Sequence, residues 1–294
     1  VYLEEIGLRA NAYAAPIGTA RGIGFNENEL VTPASVMKIQ VALTIENLIA
    51  RGRIDGTEVR TVPRGTRTPG PTGMSLMHDE VRISVRDLVV AMMTISDNVA
   101  TDELISLGGL DAVNRTTREL GLVSTLITSD LNQMLADVGR EAGFDDYEQL
   151  AAHDPKVDGA PSAEEIMRRI RQSRALNPTQ GTRTTAFEVV TMLQAIWTDR
   201  AGDAVACRNV RQVMGRQLTR NRIASGFGGA VTVAAKSGAL IGVVRNEAGV
   251  VTLPDGEAYA VAVFTRALDD SRVDPAVIDD AIGRVARSLI DELQ

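Results

Sequence analysis

Pro33 leads into the run Ser35-Val36-Met37-Lys38-Ile39-Gln40-Val41-Ala42-Leu43-Thr44-Ile45-Glu46-Asn47-Leu48-Ile49-Ala50, which Arg51-Gly52 closes. Val36, Met37, Ile39, Val41, Ala42, Leu43, Ile45, Leu48 and Ile49 put apolar side chains on nearly every face of a helix. A helix that is apolar all round is a buried one. At its head Ser35 and Lys38 are three residues apart, so hydroxyl and amine share one face. A serine hydroxyl is a weak nucleophile until a neighbouring base takes its proton. A desolvated lysine near another cation can be neutral and serve as that base. The first-turn position adds the positive end of the helix dipole, which favours developing negative charge. Ser-x-x-Lys also arises by chance about once in a chain of this size, so the pair needs corroboration from elsewhere.

On the N-terminal side, residues 7–26 are rich in small residues and read as two short strands around a turn near Gly18. On the C-terminal side, residues 60–73 carry Pro and Gly punctuation and read as a loop. Residues 84–95 form a helix in this reading, with Ser84 as cap and Asp87 three residues on. Further helical patterns occupy 97–107 and 110–120, separated by Gly108-Gly109. Residues 131–182 are polar and contain one convincing helix, 164–176, opened by the capping box Ser162-Ala163-Glu164-Glu165. They read as a large surface insertion. Residues 185–197 form an amphipathic helix, 231–235 and 258–265 are strands separated by a turn at Pro254-Asp255-Gly256, and 276–293 form a closing helix. Strands at both chain ends with helices between predict one catalytic unit over 1–294: an α/β lobe from 1–34 and 216–294, and a helical lobe from 35–215 with an expanded insertion at about 131–182.

Composition excludes several classes. No apolar run approaches the roughly 18 residues of a membrane span. The net charge of −7 argues against nucleic acid as a partner. One cysteine, Cys207, rules out an internal disulfide and a multi-cysteine metal site, and His78 and His153 are too few for a His-rich zinc site. Gly226-Phe227-Gly228-Gly229 lacks the ending of a P-loop. No metal or cofactor is implied. Lys and Arg together number 31, yet only Lys38, Lys156 and Lys236 are lysines. Lysine can shed its proton when desolvated, whereas arginine stays charged.

Two of those lysines fall in motifs. Ser96-Asp97-Asn98 is expected by chance on the order of once in several thousand positions. It reads as a helix N-cap, or as a proton-relaying Ser96 with Asn98 bonding a substrate amide, or both. Lys236-Ser237-Gly238 follows a β-rich run. There Lys236 supplies positive charge, Ser237 a hydroxyl for a substrate carboxylate, and Gly238 close approach to the backbone.

Ser-x-x-Lys, Ser-Asp-Asn and Lys-Ser-Gly in this order resemble the signature of the class A β-lactamases and penicillin-binding serine hydrolases, with Ser237 for the usual Thr. Residues 83–98, the Leu107-Gly108-Gly109-Leu110 turn, Thr184-Thr185, Arg222-Ile223 and the closing helix also match, so the resemblance covers roughly 20–130 and 183–294. It implies an antiparallel sheet flanked by helices, with an inserted all-helical lobe. It also implies a β-lactam or related small acyl substrate and action as a monomer. Ser35 would attack, Lys38 would be the acylation base, and Ser96 and Lys236 the relay and clamp. The N–H groups of Ser35 and Ala239 would form the oxyanion hole. Asn98, Ser237, Gly238 and Arg245 would hold substrate, Arg245 by its carboxylate.

The resemblance stops at the Ω loop. Class A enzymes hold the deacylating water with a Glu-x-x-x-Asn pattern before Thr184-Thr185, and none is found here. The 140 positions from Ser96 to Lys236 exceed the family gap, with the excess between about 135 and 180. Counting forward puts Asn132 near the glutamate's place and Ala136 near the asparagine's. Asp130, Glu164 and Glu165 are the carboxylates nearby. The expanded loop and Arg245-Asn246-Glu247 are similar to actinobacterial β-lactamase-like proteins, including the clavulanate-biosynthesis type. Family resemblance implies export, although no leader is visible at residues 1–6 and a cytoplasmic location stays open. The expectation is an acyl-enzyme with β-lactams and slow release. The rivals are a DD-peptidase or ester hydrolase, or a non-turnover binder or clavam-biosynthesis protein.

Overall fold

The computed structural model describes residues 2–154, 161–268 and 273–294. In chain order the elements are α1 (Tyr2–Glu5), β1 (Leu8–Pro16), β2 (Ile23–Phe25), a 3-10 turn (Ala34–Met37), α2 (Lys38–Ala50), β3 (Val59–Val62), β4 (Val81–Ser84), α3 (Val85–Thr94), α4 (Asn98–Gly108) and α5 (Leu110–Glu119). There follow α6 (Leu131–Ala142), α7 (Tyr147–Ala152), α8 (Ala163–Arg171), α9 (Ala186–Trp197), α10 (Ala204–Met214), β5 (Thr232–Leu240), β6 (Val244–Thr252), β7 (Ala258–Ala267) and α11 (Pro275–Leu293).

Both chain ends build one antiparallel sheet in the order β2-β1-β7-β6-β5, and β3 and β4 form a separate ribbon. Successive strand residues face opposite ways, so the sheet has two apolar faces. Leu8, Ala12, Val233, Val261 and Val263 pack against Ile278, Ile282 and Ile290 of α11. Ala248, Val250, Ala260, Ala262 and Phe264 join the core built around α2, where Ile39, Val41, Leu43 and Ile45 are fully buried. The all-round apolar pattern of residues 35–50 is therefore a helix enclosed by α3, α4, α5 and α10. Helix starts follow the expected chemistry. Ser84 Oγ accepts the Asp87 N–H at 3.2 Å, and Ser162 Oγ accepts that of Glu165 at 3.1 Å.

Three local readings change. The span 131–182 holds three helices rather than one, and it is not merely superficial. Leu131, Leu135, Val138 and Ala142 form the buried stripe of α6. Val138 and Ala142, with Ile166, Ile170 and Leu176, pack on Leu240, Val243 and Val244 of the β5–β6 hairpin. The stripe is present in the sequence, diluted by the polar residues between its members. Helix α8 stops at Arg171, and Arg174–Leu176 is a separate 3-10 turn. Strand β6, with its polar start Arg245-Asn246-Glu247, stands between the two strands expected near the C-terminus, and α10 was not anticipated. Lys156 and the Pro-Gly punctuation at 155–160 lie outside the described residues.

Candidate active site

Ser35 sits in the 3-10 turn that becomes α2 one residue before Lys38. Ala34, just ahead of it, has φ 49°, a left-handed conformation costly for a residue with a Cβ. Half-buried Ser35 lines a cavity of about 60 Å³ together with Asn98, Leu131, Met134, Leu135 and Ala239. Larger cavities exist, including one of about 270 Å³ at the far end of α2. Chemistry rather than volume singles out the smaller one.

Lys38 is wholly buried. Its Nζ donates to Ser96 O at 2.7 Å, Ser96 Oγ at 3.1 Å and Asn98 Oδ1 at 2.9 Å. Three acceptors match the three donors of an ammonium. Burial works the other way and pulls its pKa down to about 7, against the opposing charges of Asp97 and Asp102. The group is thus poised between its two forms near neutrality. Ser35 Oγ is not among these acceptors; Ser35 lies three residues before Lys38, in the 3-10 turn that leads into α2.

The acceptor loop is itself held under strain. Ser96 has φ 61°. Asp97, 1% exposed, ties the loop on both sides: Oδ1 accepts the Ala100 N–H at 3.1 Å and Oδ2 that of Met74 at 2.8 Å. The N-cap reading of the triplet is therefore right for Asp97, while Ser96 and Asn98 turn to Lys38. Asn98 Nδ2 also donates to Pro69 O at 2.9 Å. Non-glycine residues at positive φ persist where surrounding contacts over-determine them.

Lys236, Ser237, Gly238 and Ala239 lie on β5, the edge strand, opposite Ala248, Glu247, Asn246 and Arg245 of β6. Lys236 is fully buried and donates to Ser237 O at 2.8 Å. Burial, then the like charge of Lys38, holds its pKa well below that of a free lysine. At Gly238 the close neighbour is not open substrate space. A Cβ there would stand 2.8 Å from Pro33 O and 3.0 Å from Ser35 N. Glycine lets β5 press against the backbone that carries Ser35, which brings Ser35 and exposed Ala239 to one cavity. Asn246 fastens the same junction, donating to Thr32 O at 3.0 Å and Pro33 O at 3.1 Å while accepting the Thr265 N–H at 3.0 Å.

Arg245 is bidentate to Asp279 of α11 at 2.9 and 2.6 Å. Arg222 shares that carboxylate at 2.9 Å and also donates to Gly238 O at 2.9 Å and Asn246 O at 2.6 Å. Two guanidinium groups thus divide one carboxylate. The sequence marks Arg222, Asn246 and Glu247 only as points of resemblance, and it does not single out Asp279 or Gln217. Each is an ordinary polar residue whose burial is visible only in three dimensions.

The insertion does not bring its polar candidates to Ser35. Asn132 is exposed near the start of α6, with its backbone N–H on Asp102 Oδ2 at 2.8 Å. Asp130 caps α6 through the Gln133 N–H at 2.7 Å. Glu164 is exposed, and Glu165 pairs with Arg168 and Arg169. From this segment Leu131, Met134, Leu135, Ala175 and Thr182 line the cavity, and among the described residues no carboxylate does. Asp102, one turn beyond Asn98, anchors α6 instead. It accepts from the Leu131 and Asn132 N–H groups at 2.8 Å each and from Thr68 Oγ1 at 2.6 Å, and burial raises its pKa to about 6.

Comparisons with known proteins agree with this fold. The chain is 28% identical over 305 residues to the beta-lactamase regulatory protein BlaB of Streptomyces cacaoi, covering 99% of this chain and 95% of that one. A beta-lactamase from Sphaerobacter thermophilus has the same fold, with a TM-score of 0.76 at 23% identity over 99% of this chain and 94% of its own. So has a PBP-A variant solved as an acyl-enzyme with penicillin G, with a TM-score of 0.74 at 19% identity over 99% and 93%. The sequence model of the beta-lactamase enzyme family matches residues 3–293, and the chain therefore belongs to that family.

Proposed function

We propose that the chain forms a covalent acyl-enzyme with β-lactams at Ser35 and releases the product slowly. The carrying observation is Lys38: wholly buried, bonded to Ser96 and Asn98, and poised near pH 7 one turn from Ser35. Neutral Lys38 takes the Ser35 proton as Oγ attacks the lactam carbonyl. The Ser35 and Ala239 N–H groups receive the oxyanion. The ring C–N bond then breaks, and the proton passes through Ser96 to the departing nitrogen, with Lys236 lending positive charge. Ser237, Asn98 and Arg245 orient the ligand. Because Arg222 and Arg245 share the single charge of Asp279, that end of the site has one positive charge in excess and suits a carboxylate.

Slow release follows from the wall of the cavity. Hydrolysis of the ester needs a water and a base within hydrogen-bond reach. Leu131, Met134, Leu135 and Ala175 offer neither, and Thr182, already bonded to Thr128, brings a hydroxyl that can hold a water but cannot act as its base. Neither Asn132 nor Asp130 supplies the missing function in this reading. The similarity to a protein named for regulation supports a ligand-trapping role over clearance. The penicillin G acyl-enzyme of PBP-A supports covalent capture on this fold.

Rapid mixing with a chromogenic cephalosporin tests the reading. One equivalent of product followed by a nearly flat line is expected, with a matching mass adduct that Ser35→Ala abolishes. Sustained turnover on the order of 10 s⁻¹ would refute trapping. An adduct that survives Ser35→Ala would refute the nucleophile. Acylation by a D-Ala-D-Ala peptide or acetyl ester but by no β-lactam would move the activity to the peptidase or esterase class.

A further inference from the structure

Beneath the edge strand lies a charged group that the acyl-transfer scheme does not use. Glu247 on β6 is directly opposite Ser237 and is 1% exposed. Its Oε2 accepts the Ile223 N–H at 2.6 Å, and its Oε1 accepts from Gln217 Nε2 at 2.9 Å. Gln217 is 4% exposed and has no freedom to turn over. Its Oε1 accepts the Ser237 N–H, and its Nε2 also donates to Thr219 O at 3.0 Å. Flipping the amide would set Nε2 against the Ser237 N–H.

Every partner of the Glu247 carboxyl is therefore a donor. An ionised carboxylate accepts at both oxygens. A protonated carboxyl brings an O–H with no acceptor facing it, and a glutamine brings an NH₂ in the same plight. Leaving a buried donor unsatisfied forfeits its hydration with nothing in return. Burial holds the Glu247 pKa above the usual carboxylate range, while the two N–H donors and the charges of Arg222 and Lys236 pull it back down.

The cation that gains from this anion is Lys236. Lys38 from α2 and Arg222, ahead of the turn at Ile223–Gly226, both press Lys236 to lose its proton, as burial does, and Glu247 is the group that opposes them. Arg245 and Asp279, next along the same face, pair with each other. Lys236 and Glu247 leave neighbouring register positions on opposite faces of the sheet, so the influence passes through the field of the strand pair.

We infer that Glu247 is a positioning residue: a buried, ionised counter-charge that keeps the Lys236 ammonium charged and, through Gln217, fixes the Ser237 N–H of the edge strand. This role rests on the acyl-transfer reading only for its consequence in catalysis. There, loss of the Lys236 proton sets the alkaline limb of acylation and Lys38 sets the acid limb.

The scarcity of lysine makes the test direct. With ε-¹³C-lysine the chain gives signals from Lys38, Lys156 and Lys236 alone, and Lys156→Arg with Lys38→Arg assigns them. In the unsubstituted protein Lys236 is expected at the ammonium position at pH 7; an amine signal there would overturn the inference without any variant of Glu247. In Glu247→Gln the Lys236 midpoint should fall by about one pH unit or more, a tenfold loss of proton affinity. Glu247→Asp, which keeps the charge, should recover part of it. A Lys236 midpoint equal in Glu247→Gln and parent would overturn the inference. These readouts need no β-lactam, so absence of a Ser35 adduct would sink the proposed function and leave this result standing. Where the adduct forms, its alkaline limb should move down in Glu247→Gln while the acid limb stays. A uniform loss of rate at every pH, with both limbs unmoved, would mark Glu247 as structural only.

Discussion

At the scale of single residues, Lys38 decides whether the site works by proton transfer or by charge. Its three hydrogen bonds favour the ammonium and its burial favours the amine, leaving the balance at about pH 7. Only the amine can take the Ser35 proton, so the acylation rate should rise with pH through about 7. Below that range the lysine is charged and acylation fades. Arginine at this position stays protonated. Lys38→Arg should therefore lose both the rate, by about 10²–10⁴-fold, and the acid limb of the profile. Near-parental acylation with an unchanged limb, followed by stopped-flow across pH 5–9, would show that charge alone is needed. Ser35, Lys38, Ser96 and Lys236 were all legible as motif members, because each motif is a short run whose spacing fixes its geometry. The buried polar groups behind the edge strand were not, since Gln217, Glu247 and Asp279 are brought in from segments outside those motifs.

At the scale of elements, α6 presents an apolar wall to the Ser35 cavity. Its first turn is pinned to α4 by Asp102, and this sets Leu131 into the Ser35 cavity while Asn132 faces solvent. Counting residues from Ser96 came within one position of the cavity-lining residue, but a helix sends adjacent side chains about 100° apart, so a one-residue error changes which side chain points inward. The position itself predicts how to restore turnover. Leu131→Glu puts a carboxylate on the cavity wall, where it can hold and activate a water. Release of a preformed penicillin adduct, followed by intact mass, should speed up at least tenfold, a difference of about 1.4 kcal/mol in barrier. An unchanged adduct lifetime in a folded Leu131→Glu protein would mean that something other than the missing carboxylate limits release. The β5 edge makes a second element-scale prediction. Gly238→Ala would drive a methyl to 2.8 Å from Pro33 O, and overpacking of this kind costs about 1–3 kcal/mol. Acylation should fall because the strand is pushed away from Ser35, and the thermal midpoint should fall with it.

At the scale of the whole molecule, the site joins parts of the chain that are far apart in sequence. The helical region supplies Ser35, Lys38 and Ser96, the sheet supplies Lys236, Ser237 and Arg245, and the last helix supplies Asp279. The sheet with strands from both ends was legible from small-residue and β-branched runs flanking a long helical middle. Strand β6 was not, because Arg245, Asn246 and Glu247 are polar yet serve inside the fold as clamps rather than as a surface turn. The chain-end helix matters to ligand choice through Asp279. Its Oδ2 also receives Asn221 Nδ2 at 2.6 Å, and Arg222 holds Oδ1 at 2.9 Å, so Asp279 keeps two partners when Arg245 is removed. Arg245→Ala should therefore fold normally, unlike a change at Asp279, which would leave Arg222 buried without its counter-charge. In the proposed reading, removing Arg245 deletes the positive charge that receives the substrate carboxylate. A hydrogen bond to a charged group is worth roughly 1.5–3 kcal/mol, so acylation by carboxylate-bearing penicillins should weaken by about 10–100-fold. A penicillin methyl ester, which lacks that charge, should acylate at close to the parental rate. Paired second-order rate constants for acid and ester, in parent and variant, give the comparison. Equal losses for both ligands would assign Arg245 to holding α11 against the sheet and would remove it from ligand recognition.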